Sequence, residues 1–199
     1  MRETEKNGSG YQYGVLLLEL LTAVTVMAML WIFVVPWFEK INEFNRAAAE
    51  INALANDLQF ARTQALNGGL SVTVCVASTD GKHCAMGDTP WNANGWIIFL
   101  DPTNLNETSS LQAVNIEPLR RRVFQSSSGI FLASNRRGKI SVVTFASDGT
   151  VLGAIEPVAW TRRFKPPLDA RSTRCLYLYT NGYQQVFAHG HATETGTCS

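Results

Sequence analysis

The hydrophobic positions of the chain follow one pattern up to residue 69 and another pattern beyond it. Residues 15–38 (VLLLELLTAVTVMAMLWIFVVPWF) form an apolar run whose only charge is Glu19. A helix of this length matches the hydrocarbon core of a bilayer, which is about 30 Å thick. The run is too long for a cleaved secretory signal, and no small-x-small site follows it. It therefore predicts one membrane-spanning helix, and an ordinary single-pass anchor is the simplest explanation.

Beyond this run, hydrophobic residues recur at steps of three and four. Such spacing predicts that the helix continues to about residue 69 as an amphipathic helix with one buried stripe. Pro36 removes a backbone donor and clashes with the preceding turn, so a kink or local melting is expected there. Asn67-Gly68-Gly69 predicts a left-handed cap. The predicted stripe consists of Ile41, Phe44, Ala48, Ile51, Leu54, Leu58, Ala61 and Ala65.

After Gly69 the chain changes to short segments rich in β-branched and aromatic residues, which are typical of strands. Asp148-Gly149 and Asn181-Gly182 each follow such a segment and predict hairpin turns. The polar stretch 101–111 predicts a surface loop. One long helix followed by an antiparallel β domain is an α+β architecture. The predicted strands are 71–77, 95–100, 129–133, 140–145 and 175–179.

Charge is distributed unevenly, although the formal net charge is only +1. Residues 120–174 hold eleven Lys and Arg against three Asp and Glu. Such asymmetry marks either a binding face or, more commonly, a solvated surface whose charges balance after folding. Its clusters are candidate contacts for phosphate or for an acidic partner subunit. They comprise Arg120–Arg122, then Arg136, Arg137 and Lys139, and finally Arg162, Arg163 and Lys165.

The four cysteines form two local clusters, and three pairings are compatible with the sequence. The short spans favour Cys75–Cys84 and Cys175–Cys198, because each pair closes a loop between neighbouring strands. The chain contains no Cys-x-x-Cys, so zinc or thioredoxin-like chemistry has little support. An oxidising compartment fits an even set of cysteines best.

Candidate chemistry is sparse. His189 and His191, with Glu194 nearby, could in principle hold a metal ion, but no further ligand stands at a persuasive spacing, and His83 is remote in sequence. The chain has no Gly-x-Ser-x-Gly, no His-Glu-x-x-His and no phosphate-cradling glycine loop. We therefore expect no enzyme activity, no cofactor and no metal site.

Glu19 is the residue that an ordinary membrane anchor does not explain. A carboxylate within a membrane helix is costly and usually needs a partner. Gly14 ends a polar leader, residues 1–14, immediately before the apolar run. Cleavage after Gly14 would make Val15 the first residue and Glu19 the fifth. The Val15 ammonium of one subunit could then pair with Glu19 of a neighbour, which would neutralise both charges and fix the axial register.

The segment Gly14-Val15-Leu16-Leu17-Leu18-Glu19 resembles the type IV pilin and type II secretion pseudopilin families. The resemblance implies cleavage at Gly14/Val15 and N-methylation of Val15 by a prepilin peptidase. The segment departs from the family pattern at two positions, because the family usually has Phe where this chain has Val15 and often has Thr where it has Leu16. Pro36 stands at mature position twenty-two, where pilins often carry a helix-bending proline.

The rest of the chain is similar to the FimT/FimU minor pilins and the GspH pseudopilins. The resemblance implies four segments, namely the leader 1–14, an assembly helix 15–38, its amphipathic continuation 39–69 and a disulfide-tied β domain 70–199. The order of its motifs is more specific than any single motif. These motifs are Ala61-Arg62-Thr63-Gln64-Ala65, Val72-Thr73-Val74-Cys75, Cys84, Gly95-Trp96-Ile97-Ile98-Phe99, Phe145, Asp148-Gly149-Thr150, Cys175 and Cys198.

Some FimT proteins bind DNA through a Gly-Arg-x-Arg motif on the last hairpin. The corresponding residues here are Gly182-Tyr183-Gln184-Gln185, without either arginine. The resemblance therefore favours a FimU-like structural minor pilin, in assembly priming or at the pilus tip. A GspH-like pseudopilin of type II secretion and a DNA-binding minor pilin are the alternatives. The implied partners are other pilins, the prepilin peptidase and the inner membrane, with the β domain in the periplasm before assembly.

The leader yields the first testable prediction. Cleavage after Gly14 should remove residues 1–14, so intact-mass analysis of protein extracted from membranes should show a chain that begins at Val15, with or without one added methyl group. A mature chain that still begins at Met1 would contradict the prepilin interpretation.

Overall fold

The computed structural model describes residues 10–85, 87–101, 117–123, 130–135, 138–154, 156–163, 173–188, 190, 192–193 and 196–198. The chain divides into two compact units, Met1–Asn42 and Glu43–Ser199. Helix α1 runs from Gly10 to Gly68 and contributes to both units. Its first residues thus belong to the predicted leader.

The first unit consists of the apolar part of α1. Val15–Ile32 is long and apolar enough to cross a membrane, with a mean hydropathy of 2.3. Every side chain of this span is exposed. The helical backbone continues through Pro36, so the local melting considered for that position is not observed.

In the second unit, α1 buries the predicted stripe. Ile51, Leu54 and Leu58 are fully buried, as are Ala61 and Ala65. The prediction is wrong at Ile41, a residue of the first unit that is 44% exposed. Ala48 is half-buried, and the Phe44 side chain lies outside the described part of the structure. The helix ends as predicted. Gly69 adopts a φ of 63°, and its N–H donates to the Ala65 carbonyl at 3.0 Å.

Strands follow the helix and form an antiparallel β domain. A four-stranded sheet has the order β3-β2-β1-β6, and a five-stranded sheet has the order β5-β4-β7-β8-β9. The remaining pair, β10 and β11, forms a small hairpin. The strands are β1 (Val72–Val76), β2 (Trp96–Leu100), β3 (Arg120–Arg122), β4 (Ile130–Asn135), β5 (Gly138–Lys139), β6 (Val142–Phe145), β7 (Val158–Arg163), β8 (Arg174–Leu178), β9 (Gln184–Ala188), β10 (Ala192–Thr193) and β11 (Gly196–Thr197).

All five predicted strands are present, and both predicted turns reverse the chain. Asn181-Gly182 connects β8 to β9, with the Tyr179 N–H donating to the Tyr183 carbonyl at 2.8 Å. Asp148-Gly149 reverses the chain after β6, but only a single bridge, Phe145 to Val151, follows it. The predicted loop 101–111 lies outside the described residues except for Asp101, which is buried rather than on the surface because its carboxylate accepts a hydrogen bond from Thr73 Oγ1.

The core lies where the buried stripe of α1 meets both sheets. Its largest members are Trp91, Trp96 and Trp160, all fully buried. Trp91 and Trp160 meet edge to face at 5.4 Å between ring centroids, a favourable geometry for aromatic pairs. The Trp91 indole N–H donates to the Ile140 carbonyl at 2.9 Å. Trp91 is thus a core residue.

The cysteines form two disulfides, Cys75–Cys84 and Cys175–Cys198, with Cα–Cα distances of 5.6 and 5.8 Å. These are the pairings that the short spans favoured. Cys75 lies in β1 and Cys175 in β8. Each bond therefore ties one of the two large sheets to a segment that comes later in the chain, at Cys84 and at Cys198. Both bonds are buried.

Gly95 supplies a test of how closely β3 approaches β2. Its φ is 77°, and a Cβ built on it would lie 1.8 Å from the Arg122 carbonyl oxygen. Gly69 has a similar φ of 63° but open space around it. Gly95→Ala should therefore lower the free energy of unfolding by about 3 kcal/mol, from backbone strain plus overlap, and Gly69→Ala by only about 1 kcal/mol. Chemical denaturation of the full chain in detergent measures both, and equal losses would contradict the close approach.

Candidate functional site

A buried carboxylate joins α1 to the first sheet. Asp57 is fully buried on the apolar stripe of α1. It accepts hydrogen bonds from the Trp96 indole N–H at 2.8 Å and from Arg120 Nη1 at 2.9 Å. Arg122 donates twice, from Nε at 2.6 Å and from Nη2 at 3.0 Å. One helix residue therefore holds one residue of β2 and two of β3.

Electrostatics favour the ionised form of Asp57. Burial by itself would raise its pKa, but the hydrogen bonds from Arg122, Arg120 and Trp96 outweigh burial and lower the pKa below its ordinary value. In turn, the hydrogen bond to Asp57 raises the pKa of Arg122. Arg120 also stacks over the Phe60 ring, 3.9 Å from its centroid, as a cation–π contact. The site is a compact ion cluster held on aromatic surface.

This cluster changes the interpretation of the basic stretch. Arg120 and Arg122 were candidate contacts for phosphate or an acidic partner, yet both guanidinium groups are engaged by Asp57. Their side chains remain 40% and 38% exposed, so only their outer faces are accessible. Lys139 is similarly paired, with Nζ 2.6 Å from Asp88 Oδ2. Three of the described cations of this stretch, Arg120, Arg122 and Lys139, are therefore paired within the fold.

The other candidate contacts are only partly described. Arg162 and Arg163 are the last two residues of β7, where their backbones pair with Phe131 and Ile130 of β4. Lys165, like Arg136 and Arg137, lies outside the described residues. Their role as contacts for phosphate or for a partner subunit stays a prediction.

A second charged residue of α1 holds the predicted turns. Arg62 Nη1 donates to the Gly182 carbonyl at 3.0 Å, and Nη2 donates to the Asn181 carbonyl at 2.9 Å. A Cβ on Gly182 would lie 2.2 Å from the Gly149 carbonyl oxygen, so the two turns touch beneath the guanidinium group. Glycine is required at this contact. Arg62 thus fixes the β8–β9 turn on the helix.

The residues that correspond to the DNA-binding motif of FimT lie beside this contact. Gln184 donates through Nε2 to the Ala55 carbonyl at 2.9 Å and to Gln59 Oε1 at 3.1 Å. Its amide therefore packs against α1, while Tyr183 and Gln185 are exposed. The four motif positions, 182–185, therefore contribute a helix contact and no cationic side chain.

The residues expected to act in processing and assembly lie on α1. Gly14, Val15, Glu19 and Pro36 all belong to the first unit. Glu19 is exposed, and within the described residues its carboxylate makes no hydrogen bond or ion pair. The Glu19 backbone carbonyl accepts a hydrogen bond from Thr22 Oγ1 at 2.8 Å. The roles of these residues in processing and assembly stay predictions.

Metal-binding residues are sparse in what the structure describes. Among the described residues, no group of three or more His, Cys, Asp and Glu is suited to a metal ion. His83 lies 3.6 Å from Asp80 and makes no larger cluster. His189, His191 and Glu194 lie outside the described residues. Asp148 stabilises its own turn, because its Oδ1 accepts a hydrogen bond from the Thr150 N–H at 2.9 Å, as aspartates in turns ordinarily do.

A helix with an apolar first half, packed through its second half on antiparallel sheets, defines a pilin-like α+β protein. A crystal structure of the type IV minor pilin FimU of Pseudomonas aeruginosa shares this fold, with a TM-score of 0.52 and 18% identity over 81% of this chain and 99% of that one. A second crystal form of the same protein gives 0.48, with 17% identity over 78% and 99%.

The family follows from the sequence itself. Residues 50–182 match the family model described as Type II transport protein GspH, which covers two thirds of the chain. The chain therefore belongs to the GspH family, and its fold is pilin-like. None of the curated proteins matches it. The matched range includes Asp57, Arg62 and both predicted turns.

Sequence reasoning missed Asp57. It stands three residues after Leu54 and next to Leu58, so it falls on the stripe that was assigned to the core. A carboxylate on a buried stripe needs a partner, and the excess of arginine further along the chain could have supplied the clue. Arg62 was noted only as part of a family motif.

Asp57 supplies a stability prediction that depends on pH. Because its pKa is lowered on folding from an ordinary value of 3.8, its contribution is present above that value and disappears as the pH falls through the lowered one. Asp57→Asn should therefore reduce the free energy of unfolding by about 2–4 kcal/mol at pH 7, since the guanidinium groups are partly solvated. The difference from the unaltered chain should shrink below about pH 4.

Asp88→Asn is the matched control, because Asp88 also pairs with a cation but is 69% exposed. It should cost no more than about 1 kcal/mol. Denaturant titrations of the full chain at pH 7 and pH 3 make the comparison. If Asp57→Asn lowered the free energy of unfolding by no more than Asp88→Asn does, the result would contradict a stabilising role for the cluster.

Proposed function

We propose that the protein is a minor pilin of a type IV pilus, a FimU-like structural subunit that acts in assembly priming or at the pilus tip. The observation that carries this proposal is the apolar helical span Val15–Ile32, fully exposed and with a single charge. An exposed apolar helix needs a membrane or other helices around it. Membership of the GspH family supports assembly with other pilins as its final environment.

Glu19 is the residue that we propose converts this anchor into an assembly element. Cleavage at Gly14/Val15 by a prepilin peptidase would create an ammonium at Val15, with or without N-methylation. Pairing of that ammonium with Glu19 of an adjacent subunit would satisfy both charges in an apolar environment. Pro36 would then let the helix adapt to its neighbours, since its position lacks one backbone hydrogen-bond donor.

The division of labour follows the four proposed segments. Residues 1–14 are removed, 15–38 assemble, and 39–69 connect the assembly helix to the domain 70–199. Before assembly the protein would reside in the inner membrane with its domain in the periplasm, where the disulfides Cys75–Cys84 and Cys175–Cys198 form. Its partners would be major and minor pilins.

A pseudopilin of type II secretion is the second candidate, and one observation favours it. The family model that matches residues 50–182 is described as a type II transport protein. The same anchor and the same domain would serve such a machine. Pilus and secretion system therefore differ in the neighbouring subunits and not in the chemistry of this chain.

DNA uptake receives less support. At the two positions where FimT carries its arginines, this chain has Tyr183 and Gln185. Arg120 and Arg122 of the basic stretch are engaged by Asp57. Contact with phosphate would depend on Arg162, Arg163 and Lys165, and would weaken steeply with salt.

The test of the proposed function replaces the charge and keeps the helix. Glu19→Gln should be cleaved and form both disulfides normally, yet its fraction in sheared fibres should fall by about tenfold or more, because loss of only 1.4 kcal/mol in assembly suffices for that. Thr22→Val, one turn away in the same exposed span, is the control and should assemble normally. Immunoblots of fibre and membrane fractions give the ratio. Unchanged incorporation of Glu19→Gln would exclude the proposed pairing.

A further inference from the structure

A cleft of mixed polar and apolar lining opens beside β6, the outer strand of the first sheet. Its volume is about 230 Å³, which exceeds the space that a single long side chain needs. Val142, Val151, Leu152 and Val158 contribute apolar walls. Asn135 and Thr144 add polar groups, and Glu156 is the only carboxylate among the described residues that line the cleft. The described lining therefore combines apolar walls, polar groups and one carboxylate.

Glu156 has no partner that accounts for its position. Its Oε2 is buried and makes no hydrogen bond. Buried polar atoms in native proteins are nearly always hydrogen-bonded, and leaving one unsatisfied costs free energy. A hydrogen-bond donor from a partner molecule would satisfy this oxygen.

The strand beside the cleft offers backbone groups as well. Val76 N–H donates to the Ser141 carbonyl at 3.0 Å, and the register pairs Cys75 with Val142. Because hydrogen-bonded and non-hydrogen-bonded pairs alternate along an antiparallel ladder, Val142 directs its own N–H and C=O away from β1. The neighbouring outward carbonyl, that of Thr144, accepts from the Leu152 N–H at 2.8 Å. In the part of the chain that the structure describes, β6 is the last strand of its sheet, and no strand pairs with its outer edge at Val142.

We propose that this cleft binds a lysine side chain presented by an extended segment of a partner protein. The aliphatic stem of lysine would lie along the valine and leucine walls, and its ammonium would donate to Glu156 Oε2. The backbone of the segment would pair with Val142 at the edge of β6, as in strand addition. The proposal holds for a partner in either assembly.

Two features favour a lysine on a peptide over other cations. Arginine recognises a carboxylate best through two parallel hydrogen bonds, whereas one buried oxygen suits the compact ammonium. A free amine would use the carboxylate but not the outward N–H and C=O of Val142. The occupant therefore combines a primary ammonium, an aliphatic stem and an extended backbone.

The experiment uses the full chain in zwitterionic detergent micelles, with methyl-labelled valine and leucine. The probe is the capped tripeptide acetyl-Val-Lys-Val-amide. It should shift the methyl signals of Val142, Val151 and Leu152 in a saturable manner. Glu156→Gln should weaken the binding by about tenfold or more, because a hydrogen bond to a charged group is lost. Glu117→Gln alters an exposed carboxylate and should leave the affinity unchanged.

Stability separates a binding role from a structural one. If Glu156 serves a ligand, Glu156→Gln should leave the unfolding midpoint unchanged or raise it, because an unsatisfied buried charge is removed. A lower midpoint together with unchanged peptide binding would assign Glu156 to the fold and overturn the proposal.

Three analogues test the identity of the occupant. The norleucine peptide keeps the stem without the charge, the arginine peptide changes the cation, and n-butylammonium lacks the backbone. Each should bind at least several-fold more weakly than the lysine peptide. Equal binding of the norleucine peptide would reduce the site to an apolar cleft, and equal binding of n-butylammonium would make it a small-amine site. No saturable shift with the lysine peptide would also overturn the proposal.

Discussion

A buried negative charge on the helix is the constraint on which the domain depends. Asp57 occupies a position that the helical period assigns to the core, and leaving it unpaired there would cost several kcal/mol. Three residues donate hydrogen bonds to its carboxylate, one from β2 and two from β3. Two of these donors are arginines on a three-residue edge strand, so the same contacts that satisfy Asp57 also hold β3 in the sheet. Helix position and sheet edge are fixed together.

Arg62 connects the helix to the other sheet in a similar way, but here the helix supplies the cation and the sheet supplies the acceptors. Its guanidinium group meets backbone carbonyls of the β8–β9 turn, while Asp57 meets cationic side chains. The two residues lie five positions apart on α1, and between them they contact both sheets of the domain. Hydrophobic burial along the stripe supplies most of the stabilisation but is non-directional. The directional contacts of Asp57 and Arg62 determine which rotation and register of the helix that burial selects.

The sequence predicts those parts of the fold that depend on local chemistry. Periodicity located the buried stripe from Ile51 onward, Gly69 ended the helix, and Asn181-Gly182 formed its hairpin, because each rests on neighbouring residues alone. The strands β3 and β7 were missed for the opposite reason. An Arg120–Arg122 triplet has no strand signature, and it is extended because Asp57 and β2, distant in sequence, bind it. In β7, Trp160 packs on Trp91, again a long-range cause. Asp57 itself was hidden within an otherwise apolar pattern.

Glu19 and Asp57 show how one helix can carry two carboxylates with different consequences. Both stand among apolar residues, where an ionised group requires a partner. Asp57 finds its partners within the chain, so its charge contributes to folding and its pKa is lowered. Glu19 finds none among the described residues and lies in a span that is exposed throughout. In the proposed assembly, its partner is the Val15 ammonium of a neighbouring subunit. Under that proposal the charge of Asp57 is satisfied on folding and the charge of Glu19 only on assembly, so stability and assembly would depend on different residues of one helix.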